Sequence, residues 1–167
     1  MDIEKSTRHS KIIGNCGEAL LCNWFSRSGF EVTLVDHSGI DIVAYHPATG
    51  RRLGITVKSR TRPKGREDSP VHILHKNNND RQKVLDACTA FGCIPWIGVY
   101  VESTHSADIY LLSLEHFDLA YRGSPERMVD VWKMGGKNAE KYATDPEVRH
   151  IHMDFNNISW EWNVGGV

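Results

Sequence analysis

The sequence predicts an α/β domain built as a helix, an antiparallel meander of three strands, a second helix and a further strand. Three patterns carry this prediction. Residues 6–29 contain apolar side chains at helical spacing. Residues 39–45 and 53–57 are rich in β-branched side chains and flank the turn sequence of residues 46–50, which is the pattern of a β-hairpin. Residues 94–101 form a nearly continuous apolar run, typical of a strand covered on both faces.

The length and composition indicate one globular domain in the cytoplasm. The chain has 167 residues, of which 40% are hydrophobic and 25% are charged, as expected for a protein with a single core. The sequence contains no internal repeat and no low-complexity linker, so we expect a single domain over residues 1–167. No apolar run reaches the length of a membrane span, and the first residues lack the basic start and apolar core of a signal peptide.

The four cysteines do not have the spacing of a metal or redox motif. Cys16 and Cys22 form one loose pair and Cys88 and Cys93 form another, and neither pair has the two-residue gap of a zinc knuckle. We therefore expect buried free thiols, as is usual in a reducing compartment.

Charge is distributed unevenly along the chain. Ten of the 20 Lys and Arg residues lie between Arg51 and Lys83, where there are three acids, whereas eleven acids and six bases lie from Glu102 onward. The basic centre indicates an anionic partner that meets this region. The alternative is a solvated loop that happens to be basic.

The first predicted element is the helix at residues 6–29, which ends at a glycine in the C-cap position. Its buried stripe is expected at Ile12, Ile13, Cys16, Ala19, Leu20, Trp24 and Phe25. Gly14 and Gly17 cost helix stability, so they indicate close approach of another backbone or a ligand. Glu18 lies near the stripe and is by default a solvated residue. A strand at residues 30–35 follows.

The hairpin carries an acid and a lysine at informative positions. Side chains alternate between the faces of a strand, so Thr56 and Lys58 share one face of the second strand. Pairing Tyr45 with Gly54 would place Asp41 opposite Lys58. Both charges are costly to desolvate, so we expect them at a sheet edge or in a cleft. The alternative is an ordinary hairpin with a solvated acid and a strand-ending lysine.

The second helix is expected at residues 80–91, with Asn79 or Asp80 as the N-cap and Gly92 as the stop. Its buried stripe is expected at Val84, Leu85, Cys88 and Phe91. The preceding residues 61–79 are rich in Asn, Pro and charge, which indicates a long connection that is either mobile or functional.

The last third of the chain gives weaker signals. We expect a strand at residues 109–112, a helix from Ser113 to about residue 121, a helix at residues 126–143 and two short strands within residues 151–162. His72 and His75, in the long connection, are a weak metal signal. His150 and His152 alternate on one strand face and are interpreted as surface residues rather than ligands.

Four segments in this order resemble the PD-(D/E)XK nuclease superfamily, in its Holliday junction resolvase-like and restriction endonuclease-like branch. The segments are GNCGEAL, GIDIVAY, ITVKSR and DRQKVLDACTAFGCIPWIGVYV. The resemblance implies a restriction endonuclease-like α/β core at about residues 11–112 and an α+β C-terminal extension at about residues 113–167. It also implies a Mg²⁺-dependent nuclease, with Mn²⁺ as an alternative ion, that hydrolyses phosphodiester bonds in DNA in a defence, mobile-element or repair context. A homodimer is a further implication.

The same resemblance assigns roles to individual residues. Asp41 matches the family's metal-binding Asp, Lys58 its catalytic Lys, and Glu18 the helical Glu beside the metal. Gln82 and Lys83 fall where a polar helper residue is often found. Carboxylates suit Mg²⁺, and a lysine beside the attacking water can orient it and stabilise the transition state. The residues expected to contact nucleic acid are Arg51, Arg52, Arg60, Arg62, Lys64, Arg66 and Lys83.

Thr56 departs from the family pattern, which has Asp or Glu two residues before the lysine. Three outcomes follow from this difference. Glu18 or Asp36 supplies the missing carboxylate, or the site works slowly with one firmly held ligand. In the third outcome the protein has lost cleavage and is a nucleic-acid-binding or interaction module on the same fold.

Overall fold

The structure is a computed structural model and describes residues 3–156. Its elements in chain order are α1 (His9–Arg27), β1 (Glu31–Leu34), β2 (Ile42–His46), β3 (Arg51–Thr61), β4 (Val71–His75), α2 (Asp80–Phe91), β5 (Ile94–Glu102), β6 (Ser106–Ser113), α3 (Leu114–Ala120), β7 (Val129–Trp132), α4 (Gly136–Thr144) and β8 (Arg149–Asp154). No helix in this range is long and apolar enough to cross a membrane.

Six strands form a central sheet in the order β1-β2-β3-β5-β6-β8. The β3–β5 pair is parallel and the other pairs are antiparallel, so α2 is the crossover between two parallel neighbours. Strands β4 and β7 form a separate antiparallel pair. β5 is covered on both faces as predicted, because Val99 packs in the cluster with α2 and Tyr100 packs in the cluster with α1.

Helix α1 contacts the sheet along a narrower row than the sequence predicts. Its buried residues are Ile13, Gly17, Leu21 and Phe25, which repeat every four residues. Ile12, predicted to be buried, is 59% exposed. The row passes through Gly17, whose missing side chain lets the helix backbone approach β3 and β5, as a Cβ there would overlap Ser59 Oγ and lie 3.0 Å from Tyr100 Cβ. The close approach at Gly17 therefore sets the orientation of α1, rather than the wider apolar stripe predicted from the sequence.

Substituting the two glycines of α1 should have opposite effects on stability. Gly17→Ala should lower the free energy of unfolding by about 1–3 kcal/mol, because the added methyl overpacks a closed interface. Gly14→Ala, with no atom within 4 Å of its added Cβ, should raise it by about 0.5–1 kcal/mol through helix propensity. Urea unfolding of both variants measures the difference. Equal effects at the two positions would contradict this packing.

The predicted hairpin register is wrong by two residues. Tyr45 pairs with Arg52 and Ile42 with Ile55, which places Asp41 beside Thr56 rather than Lys58. The reason is the turn, because His46 and Arg51 close the hairpin directly around residues 47–50. A shift of two residues leaves every side chain on its predicted face, so Asp41 still shares a face with Thr56 and Lys58.

Helix α2 has the predicted bounds, and Gly92 stops it with a φ of +61°. Its buried residues are Val84, Ala87 and Cys88. Leu85 and Phe91, predicted to be buried, are 37% and 41% exposed. Helical periodicity alone places them near the stripe, but the sheet contacts a narrower face.

Several other predictions need correction. The connection predicted at residues 61–79 contains strand β4. The helix predicted at residues 126–143 is instead strand β7 followed by α4, and α4 begins at the Gly135–Gly136 pair. The first of the two predicted terminal strands is β8, and the second lies outside the described residues. All four cysteines are free as predicted, but only Cys88 is buried and Cys16 is exposed.

Candidate active site

Asp41, Thr56 and Lys58 line one pocket of about 260 Å³ on the α2 face of the sheet. It lies where the turn before β2 meets the first residues of α2. The remaining lining residues are His37, Ser38, Gly39, Asp80, Lys83 and Val84. The pocket therefore combines the hairpin residues singled out in the sequence with groups from the second helix.

Backbone contacts hold Asp41 at the entrance to β2. Its Oδ2 accepts a hydrogen bond from the Val57 N–H at 2.6 Å, its own N–H donates to Ile55 O at 2.8 Å, and its carbonyl accepts from the Val35 N–H at 2.9 Å. The first bond holds the half-buried carboxylate on β3, and the other two tie the Asp41 main chain to β3 and to the residue that follows β1. Asp41 is thus a positioned group and not a solvated strand residue.

Gly39 lets the turn before β2 lie directly on α2. A Cβ at this position would overlap Lys83 O and come within 3.1 Å of Ala87 Cβ. Contact between the two backbones brings Asp41 to the N-terminal end of α2, where the pocket opens.

Thr56 and Lys58 interact with each other on the pocket wall. The Lys58 ammonium donates to Thr56 Oγ1 at 3.3 Å. Thr56 is 3% exposed and Lys58 is half-buried. A neutral hydroxyl thus occupies the position, beside both Asp41 and the ammonium, where the resemblance leads one to expect a carboxylate.

Glu18 comes from α1 and acts electrostatically on the same groups. Burial raises the pKa of its carboxyl, the negative charge of Asp41 raises that pKa further, and the Lys58 ammonium lowers it. The charges of Asp41 and Lys58 therefore both act on the Glu18 carboxyl. It does not line the pocket itself, and Asp36 does not line it either.

The two helper residues expected at the start of α2 separate in the structure. Lys83 lines the pocket. Gln82 is exposed, donates to Asp86 Oδ1 at 2.8 Å and faces a different pocket, next to Arg81. Their side chains diverge because consecutive helical positions are about 100° apart.

Asp80, which the sequence predicts only as a helix cap, also lines the pocket. It lines the pocket with Lys83, three residues later on the same face of α2. Its Oδ2 accepts the His75 N–H at 2.9 Å, which ties it to β4. An acid followed three residues later by a base at the start of a helix is the sequence pattern that could have identified Asp80 as a pocket residue.

The predicted nucleic-acid-binding residues are spread over the two ends of β3, the loop after it and the start of α2. Arg51 and Arg52 begin β3, whereas Arg60 is nine residues further along the strand, a separation of about 30 Å at 3.3 Å per residue. Arg52 donates to Phe91 O at 3.2 Å. Arg60, Lys64 and Arg66 are exposed beyond Lys58, at the other end.

Arg62 stabilises the loop that follows β3. Its guanidinium donates to the carbonyls of Ser69 at 3.1 Å and Pro70 at 2.7 Å. Burial lowers the pKa of Arg62, and the positive charge of Arg60 lowers it further. Its hydrogen bonds are thus directed into the protein, unlike those of a free phosphate-binding side chain.

The architecture is that of a restriction endonuclease-like α/β protein, as the sequence predicts. It is similar to Hjc, a Holliday junction resolvase from the archaeal hyperthermophile Archaeoglobus fulgidus, with a TM-score of 0.52. The similarity covers 72% of this chain and 83% of that chain at 16% sequence identity, a level at which it shows the fold alone. No protein-family model and no curated sequence matches the chain.

Proposed function

We propose that this protein is a metal-dependent nuclease that hydrolyses phosphodiester bonds in DNA. The observation that carries the proposal is the pocket shared by Asp41 and Lys58, where β2 and β3 meet the start of α2. The resolvase function of the structural neighbour supports the choice of substrate. Substrates with two-fold symmetry would suit a homodimer, which we include in the proposal.

The donor set fits a hard divalent ion such as Mg²⁺, with Mn²⁺ as a substitute. Mg²⁺ prefers carboxylate oxygens and water and is commonly held by one or two carboxylates. Asp41 is the first ligand, since its backbone contacts orient it toward the pocket. Asp80 takes the place of the carboxylate missing at Thr56, and Glu18 contributes negative charge from the opposite face. When bound, the ion would polarise the scissile phosphate and acidify a water.

The chain's own basic residues act on the attacking water and the phosphate. Lys58 lines the same pocket as Asp41, where its ammonium would orient the attacking water and stabilise the charge that develops in the transition state. Lys83 supplies a second cation in the same pocket for the phosphate.

The experiment is a cleavage and binding assay on labelled duplex, single-stranded and four-way-junction DNA. Each substrate is incubated with Mg²⁺, with Mn²⁺ and with EDTA. A metal-dependent nuclease should cleave DNA with either metal ion and should not cleave it in EDTA. Comparison of the three substrates identifies the preferred DNA structure, and gel filtration of the protein tests the homodimer.

The exposed basic residues after Lys58 should determine DNA affinity. Replacing Lys64 and Arg66 together by Ala removes two phosphate contacts, so the slope of log K against log salt concentration should fall by up to about 2. Arg51→Ala with Arg52→Ala removes the same charge from the far end of β3 and serves as the control. Fluorescence anisotropy across a salt series measures both. An equal loss in the control would contradict a binding surface at the pocket end.

A catalytically silent nucleic-acid-binding module is the second candidate, and two contacts favour it. The Lys58 ammonium is hydrogen-bonded to the neutral Thr56, and one oxygen of Asp41 is engaged by the Val57 N–H. Such a site holds a metal less firmly than two free carboxylates would. A silent binding module should bind DNA with an affinity that falls as the salt concentration rises, and it should not cleave the DNA.

A further inference from the structure

Two histidines and one aspartate converge on neighbouring strands near the opposite edge of the sheet. Asp108 pairs with His152 and Tyr110 pairs with His150 across β6 and β8. Residues two apart on a strand share a face, as do directly paired residues, so the three ligand-type side chains project together. Asp108 Oδ1 lies 2.8 Å from His150 Nε2 and 2.8 Å from His152 Nδ1.

The three groups match the coordination chemistry of zinc. Within residues 3–156 they are the one set of three or more His, Cys, Asp or Glu side chains whose ligand atoms all lie within 4.8 Å of one another. Two imidazole nitrogens and one carboxylate oxygen are a common set for Zn²⁺ with a fourth position open, and nitrogen ligands disfavour Mg²⁺ and Ca²⁺.

A second carboxylate orients one of the histidines. His152 directs Nδ1 toward Asp108 and places Nε2 3.0 Å from Asp154 Oδ1. Metal-binding histidines usually donate the other ring N–H to a carboxylate or carbonyl, which sets the tautomer and the ring orientation. His152 therefore has both the ligand and the supporting contact of such a residue.

Aromatic packing holds the other histidine. The His150 ring stacks on Tyr110 with 4.5 Å between the ring centroids and 5° between their planes. Tyr110 is itself buried against Trp132 and Tyr142, with ring centroids 5.4 Å away in each case. Ligands on rigid strands with packed neighbours lose little freedom on binding a metal.

We infer that Asp108, His150 and His152 form a binding site for a divalent transition metal ion, with Zn²⁺ as the best match. This site is separate from the nuclease pocket. In the sheet order, β6 is two strands from β3, which carries Thr56 and Lys58, and β8 is three, so the two sites are about 10–14 Å or more apart at 4.8 Å per strand. The inference does not depend on the proposed nuclease activity.

The test is metal binding by the chelator-treated full chain. Co²⁺ is the spectroscopic probe, and Zn²⁺ affinity is measured by calorimetry. The wild type should bind one Zn²⁺ at this site, and His152→Ala and Asp108→Asn should each weaken it at least about 10-fold. The His152 side chain is 47% exposed and Asn preserves the shape of Asp, so both variants should fold, which circular dichroism verifies.

Two control variants distinguish this site from other ligands in the chain. His72→Ala with His75→Ala removes the other histidine pair, and Asp41→Ala removes the nuclease-pocket carboxylate. Neither should change the Co²⁺ spectrum or the Zn²⁺ affinity of this site. The inference would be overturned by absence of Zn²⁺ binding in the wild type, by undiminished binding in both site variants, or by loss of the signal in a control.

Discussion

Asp41→Ala and Lys58→Ala should each lower metal-dependent DNA cleavage by at least about 100-fold, the usual effect of removing a metal ligand or a transition-state donor. Asp41 is the one pocket carboxylate tied to the backbone of both neighbouring strands. Without it the proposed ion would lose its oriented ligand, and without Lys58 the developing charge would lose its cation. Single-turnover cleavage of labelled DNA at saturating Mg²⁺ measures both losses.

Matched variants separate this loss from a general effect of charge. Asp86→Ala removes an exposed acid from α2 and Lys76→Ala removes an exposed base, so each should leave the cleavage rate within about twofold. Salt-sensitive DNA binding with no cleavage by the wild type, unchanged in Asp41→Ala, would reject the nuclease and favour the binding module.

Thr56→Asp should tighten Mg²⁺ binding and raise the cleavage rate by about 10-fold or more. The new carboxylate would lie beside Asp41 and next to the Lys58 ammonium, which is 3.3 Å from the present hydroxyl. A buried carboxylate is costly unless it is paired, and here Lys58 and the proposed ion would both offset that cost. Mg²⁺ titration of single-turnover rates gives the affinity and the maximal rate separately.

Two further variants identify the group that replaces the missing carboxylate. Thr56→Asn has nearly the same shape as Thr56→Asp but carries no charge, so it should give no gain. Asp80→Asn should weaken Mg²⁺ activation if Asp80 is the second ligand, and adding Thr56→Asp should restore it. Activation unchanged in Asp80→Asn but reduced in Glu18→Gln would assign the role to Glu18 instead.

Local sequence patterns were sufficient to predict the elements of the core. Apolar periodicity and a terminal glycine determined helices α1 and α2 to within a few residues, because these signals act within one or two turns. Strand alternation also determined that Thr56 and Lys58 share a face, and the error in register does not affect this because both residues lie on β3. The predicted fold class followed from the order of these elements.

Only the tertiary structure decided which distant side chains meet. Gly17 is buried and Ile12 is not because of how closely α1 approaches β5. Asp80 lies in the pocket because Gly39 contacts the α2 backbone at Lys83. Asp108 and His152 are 44 residues apart and meet through strand pairing. Such contacts depend on register and packing between elements, which local sequence patterns do not encode.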